Sequence, residues 1–250
     1  AYLSNSPATD AGSVQLYAGP LSGVVSAASA RLTVTGAATT DYLGWQVQPA
    51  GDINNDGTED WAASAYFSGT PGARPGKVGL VSGAGSGSFS ISSASMLGVI
   101  SGSGNERLGA SLSRGFDADG DGISDLATSS LGSGTVYLYS GPLSGSMAAS
   151  AYDSSISGLS WTATGGGETQ SPQALAAAGD TDGDGYEDLV VGSDGNDSNA
   201  TDAGAAWLFT GPIAGGLSTT DATAALYGTT TLDYTGRAVA GAGDANGDGL

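Results

Sequence analysis

Asp180-Thr181-Asp182-Gly183-Asp184-Gly185-Tyr186-Glu187-Asp188 sets acids at alternate positions, turns on glycine, and closes on a further acid. The same phrase is written as Asp52-Ile53-Asn54-Asn55-Asp56-Gly57-Thr58-Glu59-Asp60 and as Asp117-Ala118-Asp119-Gly120-Asp121-Gly122-Ile123-Ser124-Asp125. It begins a fourth time as Asp244-Ala245-Asn246-Gly247-Asp248-Gly249-Leu250. The intervals from Asp52 to Asp117, Asp180 and Asp244 are 65, 63 and 64 residues in turn. A period this regular makes the 250 residues one repeat array, not two unrelated domains.

Oxygen at alternate positions of a tight loop is the chemistry of a hard cation. Calcium takes six to eight oxygens at about 2.3–2.6 Å and tolerates irregular geometry. Positions 1, 3 and 5 supply side chains, glycine at position 6 reverses the chain, position 7 offers a backbone carbonyl, and the acid at position 9 closes the shell. The expected ligands are therefore Asp52, Asn54, Asp56, Thr58 and Asp60; Asp117, Asp119, Asp121, Ile123 and Asp125; and Asp180, Asp182, Asp184, Tyr186 and Asp188. Asp244, Asn246 and Asp248 begin an incomplete fourth site. An EF-hand would need a glutamate at position 12, where this chain has Ala63, Thr128 and Val191, and helices on both sides. Magnesium is disfavoured because it resists all-protein cages.

Around each loop the sequence reads as short strands. Leu108–Ser113 precedes the second loop and Asp125–Ser129 follows it. The β-branched and aromatic run Val136–Tyr139 then stops at Ser140-Gly141-Pro142-Leu143-Ser144-Gly145, and a weaker strand is expected near Ala151–Ser157. The third strand recurs at Ser13–Tyr17, Lys77–Val81 and Ala205–Phe209, and its turn at Gly19–Gly23 and Gly211–Gly215. Four short strands between turn signals predict an all-β chain, a β-propeller of four-stranded blades. The expected units are 43–107, 108–170 and 171–233, with a fourth blade split between 1–42 and 234–250.

Leu43-Gly44, Leu108-Gly109, the Asp-Leu pairs at Asp125-Leu126 and Asp188-Leu189, and the loops themselves resemble the FG-GAP repeat of the integrin α-subunit β-propeller. The resemblance covers essentially the whole chain, and the loops carry it. The third unit opens on Ser171-Pro172 and the fourth on Thr235-Gly236, and the Gly-Ala-Pro segment is nowhere intact. The resemblance implies a calcium-binding module of cell adhesion. The split blade leaves three arrangements open: a ring closed on itself, a segment of a larger ring, or completion of a neighbouring molecule's blade, which would build a head-to-tail filament.

Composition narrows the function further. The formal charge is −19, and 15 of the 25 acids lie in the four loops, so the acidity is mostly candidate ligand. The six basic residues are scattered, which disfavours nucleic acid, and no apolar run approaches the roughly 20 residues that span a bilayer. Histidine and cysteine are absent, which removes the usual general base and any disulfide framework. The chain starts at Ala1 without a leader pattern, as a processed chain or a piece of a longer one would.

The expected function is an extracellular, secreted or surface-exposed, non-catalytic module for adhesion, interaction or structure. Its partner would be a protein or glycan at the cell surface or in the matrix, and homo-assembly through the split blade is a further expectation. The alternatives are a lectin using Trp45 or Trp161, with Trp61 and Trp207 reading as core, and a carbohydrate-active propeller enzyme using Glu106, Glu168 or Asp233.

Overall fold

A computed structural model describes residues 3–5, 7–70, 72–160, 174–243 and 247. The described chain is all-β, with four sheets laid down in sequence. β1 (Ser13–Leu16) and β2 (Leu32–Thr35) begin the first sheet. β3 (Val47–Gly51), β4 (Asp60–Ala65) and β5 (Lys77–Val81) begin the second, followed in the chain by β6 (Gly87–Ser90) and β7 (Gly98–Ser101). β8 (Leu108–Leu112), β9 (Leu126–Ser130), β10 (Thr135–Tyr139), β11 (Gly145–Ala148) and β12 (Ser154–Ser157) come from the next unit. The last unit gives β13 (Ala174–Gly179), β14 (Asp188–Ser193), β15 (Ala205–Phe209), β16 (Gly215–Ser218) and β17 (Ala224–Tyr227).

Within each unit the strands form antiparallel meanders, but β6, β11 and β16 leave their own units. Each crosses to the sheet before it and pairs in parallel with that sheet's last strand: β6 with β2, β11 with β7, β16 with β12. The sheets are therefore β1-β2-β6, β3-β4-β5-β7-β11, β8-β9-β10-β12-β16 and β13-β14-β15-β17. This corrects the expectation of four-stranded blades, since two sheets have five strands. The crossing segments escaped sequence reading because Gly145-Ser146-Met147-Ala148 and Gly215-Gly216-Leu217-Ser218 carry one large apolar side chain each and no alternation.

The cores lie between sheets. Along β10, Val136 and Leu138 join Leu189, Val191 and Trp207 of the fourth sheet, while Tyr137 and Tyr139 join Leu80 and Ile100 of the second. A period of two thus buries both faces of one strand against different neighbours. A third cluster, including Leu32, Val34, Ala63 and Val81, joins the first sheet to the second. Among the described residues no hydrophobic cluster joins the fourth sheet to the first, and the described sheets form a succession. That succession is consistent with a propeller-like fold. Asp244, Asn246 and Asp248, expected to begin a fourth site, lie outside the described residues.

The step from one sheet to the next is made by backbone contact. Gly12, Gly76 and Gly204, just before the third strand of their units, bridge in parallel to Leu43, Leu108 and Thr235 at the start of the next. Gly76 has φ 73°, and a Cβ there would lie 2.3 Å from the Leu108 carbonyl oxygen. Glycine is required twice over, by conformation and by approach.

Gly145 shares that φ of 73° but has nothing within 4 Å of a Cβ, which makes it a matched control. Gly145→Ala should cost only the left-handed backbone penalty of about 1–2 kcal/mol. Gly76→Ala should cost about 1–3 kcal/mol more, from overpacking. Chemical denaturation of the two variants measures the difference, and equal losses would show that the close approach does not govern the junction.

Candidate metal centre

The first and third acidic loops leave a sheet's first strand at a bulge. The register of β3 on β4 shifts between Pro49 and Gly51, and that of β13 on β14 between Ala177 and Gly179. The loop is then fastened by its own carboxylates. Asp117 accepts from the N–H groups of Gly120 (2.7 Å) and Gly122 (2.9 Å), and Asp180 from Gly183, Asp184 and Gly185. Asp52 accepts from Asp56 and Gly57. At position 3, Asn54, Asp119 and Asp182 accept from the N–H of position 5, and at position 5 Asp56, Asp121 and Asp184 accept from that of position 7.

Position 9 is different in kind. Asp60, Asp125 and Asp188 are buried while the rest of each loop is largely exposed. One oxygen of each accepts from a glycine N–H just past the third strand: Gly83 (3.0 Å), Gly141 (2.9 Å) and Gly211 (2.9 Å). The second oxygen of Asp125 and of Asp188 turns back to its loop and accepts from Ala118 and Thr181. Oδ2 of Asp60 is buried and makes no hydrogen bond of ordinary geometry, although the Ile53 N–H still acts on the carboxyl. A buried carboxylate oxygen in that condition costs on the order of 1–3 kcal/mol unless a cation meets it.

The structure brings Asp117, Asp119 and Asp125 together, with one oxygen of each within 4.8 Å of the others, and likewise Asp180, Asp182 and Asp188. Three carboxylates at that separation suit an oxygen-binding cation. Asp121 and Asp184, expected as ligands from position 5, stand outside these compact trios. In the first loop Asn54 takes the place of the middle acid, which leaves two carboxylates, Asp52 and Asp60, and an amide oxygen. At position 7, Thr58, Ile123 and Tyr186 donate their N–H groups within the loop.

Burial is the main force on Asp125, pushing its carboxyl up to about 6, with Asp119 and Asp117 adding repulsion and the Gly141 and Ala118 N–H groups opposing. Burial raises Asp60 as well, with Asp56 and Asp52 repelling it and the Gly83 and Ile53 N–H groups opposing. The hydrogen bond from Asn54 lowers Asp56.

The first two loops also hold the next sheet. Leu143, in the turn after β10, donates its N–H to Ile53 O of the first loop (2.8 Å), and Ile213, after β15, donates to Ala118 O of the second (3.2 Å). Glu187, at position 8 of the third loop, accepts from Asp117 N–H (3.0 Å) and pairs with Arg114 (3.2 Å). The Tyr186 ring lies over Gly120, where a Cβ would come within 2.5 Å of it. These contacts were invisible as pairs in the sequence. Their one trace was the glycine at 83, 141 and 211, where a Cβ would collide with Glu59 O, Ile123 Cγ2 and Tyr186 Cβ in turn.

The residues considered for catalysis or sugar binding have other work. Glu106 accepts from Ser103 N–H, and Asp233 from Thr229 and Thr230 N–H, as Asp41 does from Ala37 and Ala38. All three sit two residues before Leu108, Thr235 and Leu43 and close the same turn. Trp207 is buried in the core, Trp45 packs on Tyr66 with centroids 4.7 Å apart, and Trp61 lines a crevice between the first and second sheets. Trp161 and Glu168 lie outside the described residues.

Strand, acidic loop, two further strands and a clamp from the last turn to the loop's closing acid define a class of repeat whose structural unit includes a candidate cation site. The FG-GAP repeat model matches residues 171–209, which run through β13, the third loop, β14 and β15. A comparison with curated proteins finds no match.

A pH prediction follows from the raised acids. A carboxyl whose folded pKa exceeds its unfolded 3.8 adds stability that is full below 3.8 and lost as pH rises through the folded value, about 6 for Asp125. In chelator the melting temperature should therefore fall between pH 4.5 and 7.5. Asp56, Asp221 and Asp233 are lowered instead and act below 3.8, outside this window. Asp125→Asn should flatten the slope, and an unchanged slope would assign it elsewhere.

Proposed function

We propose that the protein is an extracellular, calcium-stabilised, propeller-like module that binds a protein or glycan partner without performing chemistry. The observation that carries this reading is the convergence of a buried position-9 carboxylate with two further acids in a loop that also holds the next sheet. The donor set is all oxygen, which favours calcium over softer cations, and the number of carboxylates favours it over magnesium. A cation there neutralises charge at the junction between sheets, so its role is structural stiffening.

Four features support this reading. The chain has no histidine or cysteine. Glu106 and Asp233, the acids outside the loops that could have served as catalysts, close turns. Calcium sites of extracellular modules have affinities of about 10⁻⁴–10⁻³ M, so such sites fill outside a cell. The FG-GAP match is to a repeat that resembles the integrin α-subunit propeller, which points to protein interaction at a surface.

Calcium should raise the melting temperature and excess chelator should lower it. At about 100 times its dissociation constant each filled site adds about 2.7 kcal/mol. Asp119→Ala should remove calcium from one site and leave the others filled, as read by calorimetric titration. A melting temperature indifferent to chelator would sink the reading, and loss of calcium at every site in Asp119→Ala would show that the sites are not independent.

A further inference from the structure

β7 and β11 pair in parallel at the end of the second sheet, and the segments that follow them border a cleft of about 450 Å³. That size falls within the range of about 300–1,000 Å³ usual for small-ligand pockets. The walls carry the hydroxyls of Ser103, Ser146 and Ser150, the thioether of Met147, the methyl of Ala148 and the carboxylate of Glu106, which is the one charged group of the lining. Both flanking sheets are complete five-stranded sheets, so the cleft belongs to the interior of the array.

The repeats separate what the turn before each new unit needs from what this cleft adds. Asp41 accepts from Ala37 and Ala38 N–H through one oxygen, Oδ2, and Asp233 accepts from Thr229 and Thr230 N–H in the same way. An aspartate is therefore long enough to close the turn. Glu106 closes it with Oε2 alone, on Ser103 N–H, and its extra methylene carries Oε1 to the Tyr137 hydroxyl at 3.4 Å. A bond of that length is weak, and a carboxylate with about four acceptor positions keeps capacity for further donors. Tyr137 is itself a departure from the repeat, since the middle residue of the third strand is Gly79 in β5 and Trp207 in β15. Its ring stacks on Tyr152 with centroids 4.7 Å apart, and its hydroxyl also meets Ser133 (3.2 Å). Burial raises the Tyr137 hydroxyl above its ordinary range, so it stays protonated and donates. The Glu106 carbonyl accepts from Gly132 N–H (2.8 Å) and from the Ser130 hydroxyl (2.9 Å). Main chain and carboxylate are thus both held before any ligand arrives, which lowers the cost of binding one.

We propose that this cleft binds a neutral sugar residue of a glycan, with Glu106 Oε1 accepting from its hydroxyls and Ser103, Ser146 and Ser150 making further hydrogen bonds. Serine hydroxyls donate and accept, as sugar hydroxyls do, so the two sets are complementary in either direction. Met147 and Ala148 supply apolar surface for the C–H face of the ring. A cationic side chain would meet a single acid already engaged by two donors, which makes the sugar the better match. This site rests on the binding-module reading and names one ligand class for it.

Methyl glycosides of glucose, galactose, mannose and N-acetylglucosamine, titrated into the chain in calcium, should shift the amide resonances of residues 101–106 and 146–150 with millimolar dissociation constants. Glu106→Asp restores the turn acid of the other units and withdraws the second oxygen from the cleft. It should keep the melting temperature and weaken binding about tenfold, the worth of one charge-assisted hydrogen bond. Ser146→Phe, at an exposed site away from the turn, should block the cleft and weaken binding at least as much. No shift with any of the four sugars overturns the proposal, as does binding that both variants leave unchanged. A lysine- or arginine-containing peptide that binds the cleft where the sugars do not also overturns it, and reassigns Glu106 to a cationic side chain. Chelator titration of the same samples keeps the two readings apart. Melting that responds to chelator without sugar binding removes this site alone, whereas sugar binding with melting indifferent to chelator removes the metal reading alone.

Discussion

The structure turns on a buried carboxylate at the end of each acidic loop. Asp60, Asp125 and Asp188 are buried at the first or the preceding residue of a unit's second strand, and burial disfavours the charge of Asp60 and Asp125. An isolated buried carboxylate is too costly to keep ionised. Here part of the cost is offset by a glycine N–H past the third strand, which ties the loop to the last turn of its own sheet. The remainder is left to whatever meets the acids on the loop side. Asp60 shows this most openly, with one oxygen satisfied and one not.

That clamp explains why the sheets stack as they do. A loop fixed at Asp125 presents its position-2 carbonyl outward, and the turn of the next unit docks on it through Ile213. The sheets behind these contacts are buried on both faces, with Ala62 and Ala63 of β4 turned to different clusters. Small residues let the layers approach, and glycine carries the junctions. Stability in such an array is close to a sum of units and nearest-neighbour interfaces.

The loops and most strands were legible in the sequence because both are local signals. Val136–Tyr139 reads as a strand from residue type alone, and the acidic loop reads as a ligand set from spacing alone. The crossing strands β6, β11 and β16 were not legible, because what makes them strands is an edge supplied by another unit. The turn-closing part of Glu106 and Asp233 was not legible for a related reason. Their work is to close a turn that exists only once Leu108 and Thr235 have bridged to the preceding unit. At position 5 the sequence marks the acid but not its contact: one oxygen of Asp121 and one of Asp184 holds the position-7 N–H of its own loop.

Those internal hydrogen bonds also say what a cation contributes. Asp117 and Asp180 each accept two or more N–H groups, and position 5 holds position 7. The loop's path is therefore held by its own side chains, and the ordering that a metal must supply in a zinc finger is here largely done by hydrogen bonds. What the hydrogen bonds do not remove is charge. The acids of each trio stay crowded, in a chain whose formal charge is −19. A cation then acts on repulsion between acids already in place, and because Asp125 belongs to both the acidic trio and the Gly141 clamp, relief at the loop is felt where the next strand begins.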